Sequence, residues 1–165
     1  MGEAVEAVHY VVPQGDGWPE GHRADRAHEV DMAVQLVMAS GAALVLSWSM
    51  NGVDEGLEIQ LRTSGEPDAQ LPGDVIDVSS HVDWGRFLGE SIVSVSPAWH
   101  IPNEGSSEMP WAFRFEFFNR SSLVVALGEA EGAGFTYMPD ALVVIFDKNL
   151  AVGYQIPASA TSSYG

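Results

Sequence analysis

The feature that most constrains the fold of this chain is a period-two alternation of apolar and polar residues through three neighbouring segments. Its apolar positions are Val30, Met32, Val34, Leu36 and Met38, then Leu44, Leu46, Trp48 and Met50, then Leu57, Ile59 and Leu61. Successive side chains of a β-strand point to opposite faces, so the pattern predicts half-buried strands. Ser40-Gly41 and Asn51-Gly52 are turn signals between them. We therefore predict one antiparallel meander of Val30–Met38, Leu44–Met50 and Leu57–Leu61 with these apolar residues facing the core.

Shorter apolar runs extend the strand interpretation to the rest of the chain. Residues 141–146 are apolar on both faces, which is typical of a central strand. Residues 111–117 and 123–127 flank a polar turn and predict a second hairpin. The further predicted strands are Val5–Val12, Ile92–Val95 with a continuation to Trp99, and Ala151–Ile156.

One short helix is predicted between these strands. Ser80 can cap its start, and Asp83 three residues later resembles the acidic half of a capping box. Gly89 suits its end. The apolar face of this helix comprises Trp84, Phe87 and Leu88.

These elements predict a mainly β protein with about eight or nine mostly antiparallel strands, which a broad classification would place in α+β. The strands would form a strongly bent sheet or a sandwich, with a half-open barrel as the alternative, and one short helix would pack on them. We expect a single domain over residues 1–156. Residues 157–165, rich in Ser and Ala, are expected to form a flexible C-terminal tail.

The charge of the chain is strongly one-sided. It has 23 Asp and Glu against 7 Lys and Arg, a formal net charge of −16, and charged residues make up 18% of it, against roughly a quarter in ordinary proteins. The basic residues are therefore what is scarce. A negative field repels nucleic acids and anionic membranes and attracts basic proteins. We expect a basic protein partner, no nucleic-acid partner and no membrane association.

Several classes of chemistry are disfavoured by what the sequence lacks. There are no cysteines, so disulfides and thiolate ligands are excluded. Phosphate-binding glycine loops, nucleophile elbows, zinc-protease motifs and EF-hand loops do not occur. The first residues carry no basic start followed by an apolar run, which favours a cytoplasmic protein. No cofactor is predicted.

The histidines offer one catalytic candidate and no metal site. His22 and His28 lie six residues apart but flank Arg23 and Arg26, whose charges oppose a bound cation. His100 follows Trp99 at a predicted strand end, where sites often gather, and is the best catalytic candidate should the protein be an enzyme. The alternative is an ordinary polar histidine at the rim of a sheet.

Two acidic segments are the candidates for a binding surface. The segment 128–140 is rich in glycine and lies between two strands, so its acids can serve acid–base chemistry, meet a basic partner, or simply face water. A second cluster lies on the hairpin tip after Asn51-Gly52. The predicted partner-binding residues are Asp54, Glu55 and Glu58 of this cluster, Glu129, Glu131, Tyr137 and Asp140 of the glycine-rich segment, and Trp99 as an aromatic anchor.

Charge and composition together favour a non-enzymatic protein-binding module. Its most concrete form is a bacterial immunity protein or antitoxin that neutralises a basic toxin domain, since complementary charge speeds capture and aromatic anchors slow release. One alternative is a small enzyme or small-molecule-binding β domain with a site near His100 and residues 128–140. A second alternative is an accessory subunit of a larger assembly whose partner supplies the cations.

Overall fold

A computed structural model describes residues 2–18, 23–24, 26–64 and 73–154, with the backbone alone described at 23–24. Among these residues, no helix has the length and apolar character needed to cross a membrane. The predicted tail, residues 157–165, lies outside the described residues. The described strands are β1 (Val5–Val12), β2 (Arg23–Ala24), β3 (Ala27–Val30), β4 (Ala33–Met38), β5 (Ala43–Asn51), β6 (Asp54–Arg62), β7 (Asp74–Asp77), β8 (Ile92–His100), β9 (Met109–Phe117), β10 (Ser122–Leu127), β11 (Glu129–Glu131), β12 (Gly134–Thr136) and β13 (Leu142–Ile145).

The strands form two large sheets and one small hairpin. The first sheet has the order β6-β5-β4-β1-β7, the second has the order β2-β3-β13-β10-β9-β8, and β11 pairs with β12. Every described pairing is antiparallel, and neither large sheet closes into a barrel. The main core cluster draws buried residues from both sheets, among them Leu46 and Phe115. The predicted mainly β fold is confirmed, although the described strands number thirteen instead of eight or nine.

The predicted meander is confirmed for β4, β5 and β6. Leu46 of β5 lies opposite Val34 of β4 and Ile59 of β6, so the predicted apolar set shares one face. The predicted start at Val30 is wrong, because Val30 ends β3 in the second sheet. A bend at residues 31–32 carries the chain to the first sheet. The alternation of apolar and polar residues continues through this bend, so periodicity alone does not show where the first sheet begins.

The ends of the meander extend beyond the core. Trp48, Met50 and Leu61 keep the predicted phase, but their exposed fractions are 38%, 52% and 66%. Their assignment to the core was wrong. Phase fixes the face of a sheet that a residue occupies, whereas burial also requires a covering layer.

The predicted helix after Ser80 is a single 3-10 turn over Val82–Trp84. His81, and not Ser80, caps it, and the backbone N–H of Asp83 donates to His81 Nδ1 at 3.2 Å. A 3-10 helix has three residues per turn. The chain keeps this spacing just beyond the helix, where the backbone N–H of Phe87 donates to the carbonyl oxygen of Trp84 at 2.9 Å, and both side chains are fully buried.

The predicted last strand, Ala151–Ile156, is wrong. The chain forms a helix there, α1 (Lys148–Gly153), and residues 155–156 lie outside the described part of the chain. Asp147 caps the helix, with its Oδ1 accepting the backbone N–H groups of Asn149 at 2.8 Å and Leu150 at 3.0 Å. Ala151 is buried against the core. The local cap therefore outweighs the short apolar run.

This cap gives a testable stability effect. Replacing Asp147 with Ala is expected to lower the free energy of unfolding by about 1 kcal/mol in urea denaturation at pH 7, whereas Asp147→Asn should cost less because Asn also caps helices. The backbone hydrogen bond from Leu150 and the nearby Arg26 guanidinium lower the pKa of Asp147. Because the pKa of Asp147 is lower in the folded state, its carboxylate stabilises the fold above the unfolded-state pKa of about 3.9. This contribution is lost as the pH falls through the folded-state pKa. An Asp147→Ala deficit that persisted below this window would contradict the assignment.

Candidate functional site

The two predicted acidic segments meet at one end of the molecule. β5 runs toward this end, Asn51 pairs with Asp54 at its tip, and β6 runs back. The hydroxyl of Tyr137, which follows β12, donates to Glu55 Oε1 at 3.0 Å. Burial, followed by the Glu55 carboxylate, raises the pKa of Tyr137, which keeps the phenol protonated and able to donate. We call residues 51–58, 101–108 and 128–140 the acidic end.

The third segment of the acidic end was missed by the sequence analysis. The side chain of Asp54 accepts hydrogen bonds from Asn103 Nδ2 at 2.8 Å and Ser106 Oγ at 2.6 Å, which tie the loop between β8 and β9 to the hairpin tip. These two bonds lower the pKa of Asp54 and favour its charged form. The loop adds two exposed acids, Glu104 and Glu108. Its acids and small polar residues were visible in the sequence, but its proximity to Asp54 was not.

The glycine-rich segment 128–140 is a small hairpin and not an unstructured connector. Glu129 of β11 pairs with Thr136 of β12. The backbone N–H of Ala130 donates to Glu29 Oε1 at 2.8 Å, which fixes the hairpin to β3. Of the predicted residues here, Glu131 and Asp140 are exposed, whereas Glu129 and Tyr137 are half-buried.

Apolar side chains are exposed on the strands that lead into these loops. Trp99 near the end of β8 is 38% exposed and lies opposite Pro110 of β9. Glu58 of β6 is exposed and accepts a hydrogen bond from Gln60 at 3.0 Å. Further exposed apolar residues of these strands and loops include Trp48, Met50, Val53 and Ile101. The acidic end therefore combines carboxylates with exposed aromatic and aliphatic groups.

His100 holds the end of β8 against β6. Its ring is buried, and its Nε2 lies 3.1 Å from the backbone carbonyl oxygen of Glu55. A carbonyl only accepts, so Nε2 carries a proton and donates it. Burial lowers the pKa of His100 and favours the neutral ring, although the Glu55 carbonyl opposes the shift. In this geometry His100, the predicted catalytic candidate, positions the backbone of Glu55.

A second polar cluster, which we call the Tyr–His–Asp cluster, comprises Tyr10, His28, His81 and Asp83. Trp84 Nε1 donates to the Tyr10 hydroxyl oxygen at 3.0 Å, and the Tyr10 hydroxyl lies 2.7 Å from His28 Nδ1. His28 Nε2 lies 2.9 Å from Asp83 Oδ2. Indole only donates and a carboxylate only accepts. Each group therefore donates a hydrogen bond to the next, from Trp84 through Tyr10 and His28 to Asp83. Burial raises the pKa of Tyr10 well above its ordinary value.

His81 completes this cluster from the cap of the 3-10 turn. Its Nδ1 lies 3.7 Å from Asp83 Oδ2, and its ring centroid lies 4.5 Å from that of His28. Trp18 and His81 face a cleft of about 460 Å³ beside the cluster. Sequence reasoning missed the cluster because it combines β1, β3 and the 3-10 turn. The one local signal was the spacing His81-x-Asp83 at the start of a helical turn.

An apolar cleft lies away from the acidic end. A cleft of about 510 Å³ opens between the two sheets near the start of β5 and β8, where β5 begins its run toward the acidic tip. Its apolar lining includes Met38, Leu44, Ile59, Ile92, Val95 and Phe113. The site predicted for the enzyme alternative, near His100, is thus a different place from this cleft.

The candidate sites therefore reduce to two groups with no residue in common. The acidic end joins three loops and presents acids beside exposed apolar groups, while the Tyr–His–Asp cluster is largely buried beside β3. The chain matches no protein-family model, no curated protein and no solved structure, so its function has to be argued from these two groups of residues.

Proposed function

We propose that the protein is a non-enzymatic binding module whose acidic end captures a basic protein. The observation that carries the proposal is the hydrogen bond from Tyr137 to Glu55, which holds two acidic loops together although they are 82 positions apart in sequence. The most concrete form of the proposal is an immunity protein or antitoxin directed against a basic toxin domain. Such a partner would be attracted by the negative charge of the acidic end and held by its exposed aromatic groups.

The three segments of the acidic end carry no cations of their own. No Lys or Arg occurs in residues 51–58, 101–108 or 128–140. Several cations lie elsewhere: Arg114, Arg120 and Lys148 line one cleft, and Arg62 ends β6 far from the tip. Carboxylates gathered without counter-charges attract a cationic partner over several ångströms and raise its association rate.

The exposed apolar groups supply the short-range contacts that long-range charge attraction does not provide. Interfaces commonly have an apolar centre, enriched in Trp and Tyr, inside a polar rim. Trp48 and Trp99 are each 38% exposed on strands that lead into the acidic loops. We assign to these indoles the role of anchors that slow dissociation, and to the surrounding acids the role of steering.

The test neutralises acids that do not hold the loops together. The variants are Glu104→Gln with Glu108→Gln, and separately Glu129→Gln with Glu131→Gln. The matched control is Glu6→Gln with Glu90→Gln, which removes the same charge near the start of β1. That part of the first sheet lies beside the start of β5, away from the acidic tip. Asp54 and Glu55 stay unchanged because their side chains hold the loops. The partner is the basic protein that the parent retains from a lysate of the native host and releases in salt.

We expect each acidic-end variant to associate more slowly at low salt, by up to about tenfold, with a flatter salt dependence than the parent. The control should associate like the parent, and all variants should melt within a narrow range of temperature because exposed charge changes have small effects on stability. Equal association rates for the parent and both acidic-end variants at both salt concentrations would refute the proposal.

A further inference from the structure

We propose that His28, His81 and Asp83 form a binding site for a divalent transition-metal ion of the zinc class. The three residues come from β3 and from the cap and first turn of the 3-10 helix. This site is separate from the acidic end and from the function proposed for it.

Two of the three donor pairs lie near the separation that an ion requires. Asp83 Oδ2 is 2.9 Å from His28 Nε2 and 3.7 Å from His81 Nδ1. One donor atom from each of the three residues lies within 4.8 Å of the others. Zinc binds imidazole nitrogen and carboxylate oxygen at about 2.0–2.2 Å, which places neighbouring ligands of a tetrahedral site roughly 3.3 Å apart. The two distances from Asp83 lie on either side of that value.

The donor set selects the class of metal. Two imidazoles and one carboxylate suit zinc and its divalent neighbours, whereas the thiolate ligands of iron–sulfur clusters cannot come from this cysteine-free chain. Three protein ligands leave a fourth position for water. Of the three ligands, His81 lines the cleft of about 460 Å³ beside Trp18 and Ser80, from which water can reach the cluster.

Tyr10 would orient the most buried ligand. An ion bound at His28 Nε2 replaces the proton now donated to Asp83, so the neutral ring carries its proton on Nδ1 instead. Nδ1 then donates to the Tyr10 hydroxyl oxygen 2.7 Å away, and the Tyr10 hydroxyl proton has to rotate away from Nδ1. Metal-binding histidines usually donate their second N–H to such an outer partner, which fixes the ring. The ion must also displace the weak bond from Asp83 N–H to His81 Nδ1 at 3.2 Å.

Of the two arginines near His28, Arg23 lies opposite it across β2 and β3. Arg26 was expected to oppose a cation near His28, but its guanidinium pairs with Asp147 at 2.6 Å. Arg86 donates to the carbonyl oxygen of Phe146 and lies over the ring of Phe87. The side chains of His81 and Asp83 are 13% and 16% exposed, which gives an ion a path from solvent to the buried His28.

The test uses the full chain freed of metal with a chelator and then titrated with zinc chloride in a calorimeter. The parent should bind one equivalent with a dissociation constant of micromolar or below. His81→Gln and Asp83→Asn should each weaken binding at least about tenfold, since even outer partners of a ligand are worth about 10–100-fold. His9→Gln is the matched control, because His9 lies opposite Asp77 across β1 and β7 but outside the cluster. It should bind like the parent.

Two further readouts keep the result decisive. Far-UV circular dichroism checks that each variant folds. Cobalt(II) substituted into the parent should give the intense visible bands of a four-coordinate site with nitrogen ligands. No zinc heat in the parent at 100 µM, only the weak bands of hydrated cobalt, or parent-like zinc affinity in both ligand variants would overturn the proposal and leave the cluster as a hydrogen-bond network alone.

Discussion

Replacing Leu46 with Asp is expected to lower the free energy of unfolding by about 4 kcal/mol or more, measured by urea denaturation. Leu46 is fully buried and lies between Val34 and Ile59 on the core face of the first sheet. The change removes a core side chain and places an unpaired carboxylate among apolar neighbours. Natural domains are stable by only about 5–15 kcal/mol, so this change would remove a large share of the stability.

Leu61→Asp is the control for this substitution. Leu61 has the same phase in the meander, opposite Leu44, but is 66% exposed. Its replacement should change stability by no more than about 1 kcal/mol, the span of strand preferences. Equal losses in the two variants would show that the covering of the first sheet differs from the arrangement described above.

Replacing Gly128 with Ala is expected to lower the free energy of unfolding by about 2–4 kcal/mol. Gly128 has a φ of +151°, which residues with a Cβ rarely adopt. An added Cβ would lie 2.8 Å from the carbonyl oxygen of Thr136 and would collide with the hydroxyl of Tyr154. That hydroxyl donates to the carbonyl oxygen of Leu127 at 2.5 Å, so moving it breaks a buried hydrogen bond.

Gly134→Ala provides the comparison within the same hairpin. Gly134 lies in β12 without a positive φ, and an added Cβ there meets no atom within 4 Å. This variant should be as stable as the parent or more stable by up to about 1 kcal/mol, because alanine restricts the unfolded chain. Urea denaturation that ranked the two glycine variants equally would contradict the packing of Gly128 against Tyr154.

The strands of this fold were predictable because their signal is local. The alternation through Leu44–Met50 and Leu57–Leu61 gave the correct face and pairing, and the apolar run 141–146 gave a central strand between β3 and β10. The bend at residues 31–32 leaves the period intact, so it was invisible. The helix α1 was also missed, although Asp147 is a good cap, because the apolar run after it was given more weight.

The acids of the candidate site were predictable, but their arrangement was not. Asp54, Glu55 and the acids of 128–140 were identified by the scarcity of compensating cations. Their meeting depends on strand order, which brings the hairpin tip beside Tyr137. The Tyr–His–Asp cluster has the same origin, since His28 and Asp83 are 55 positions apart and contact each other only after the fold forms.

The double attachment of Glu55 has a thermodynamic consequence. His100 holds its backbone carbonyl and Tyr137 holds its carboxylate, while Asn103 and Ser106 hold the adjacent Asp54. Ordering a residue costs about 1–2 kcal/mol of conformational entropy. Here that cost is met when the domain folds and not when a partner arrives. A partner of the proposed kind would dock on a surface of defined shape, so that more of the contact energy remains as affinity.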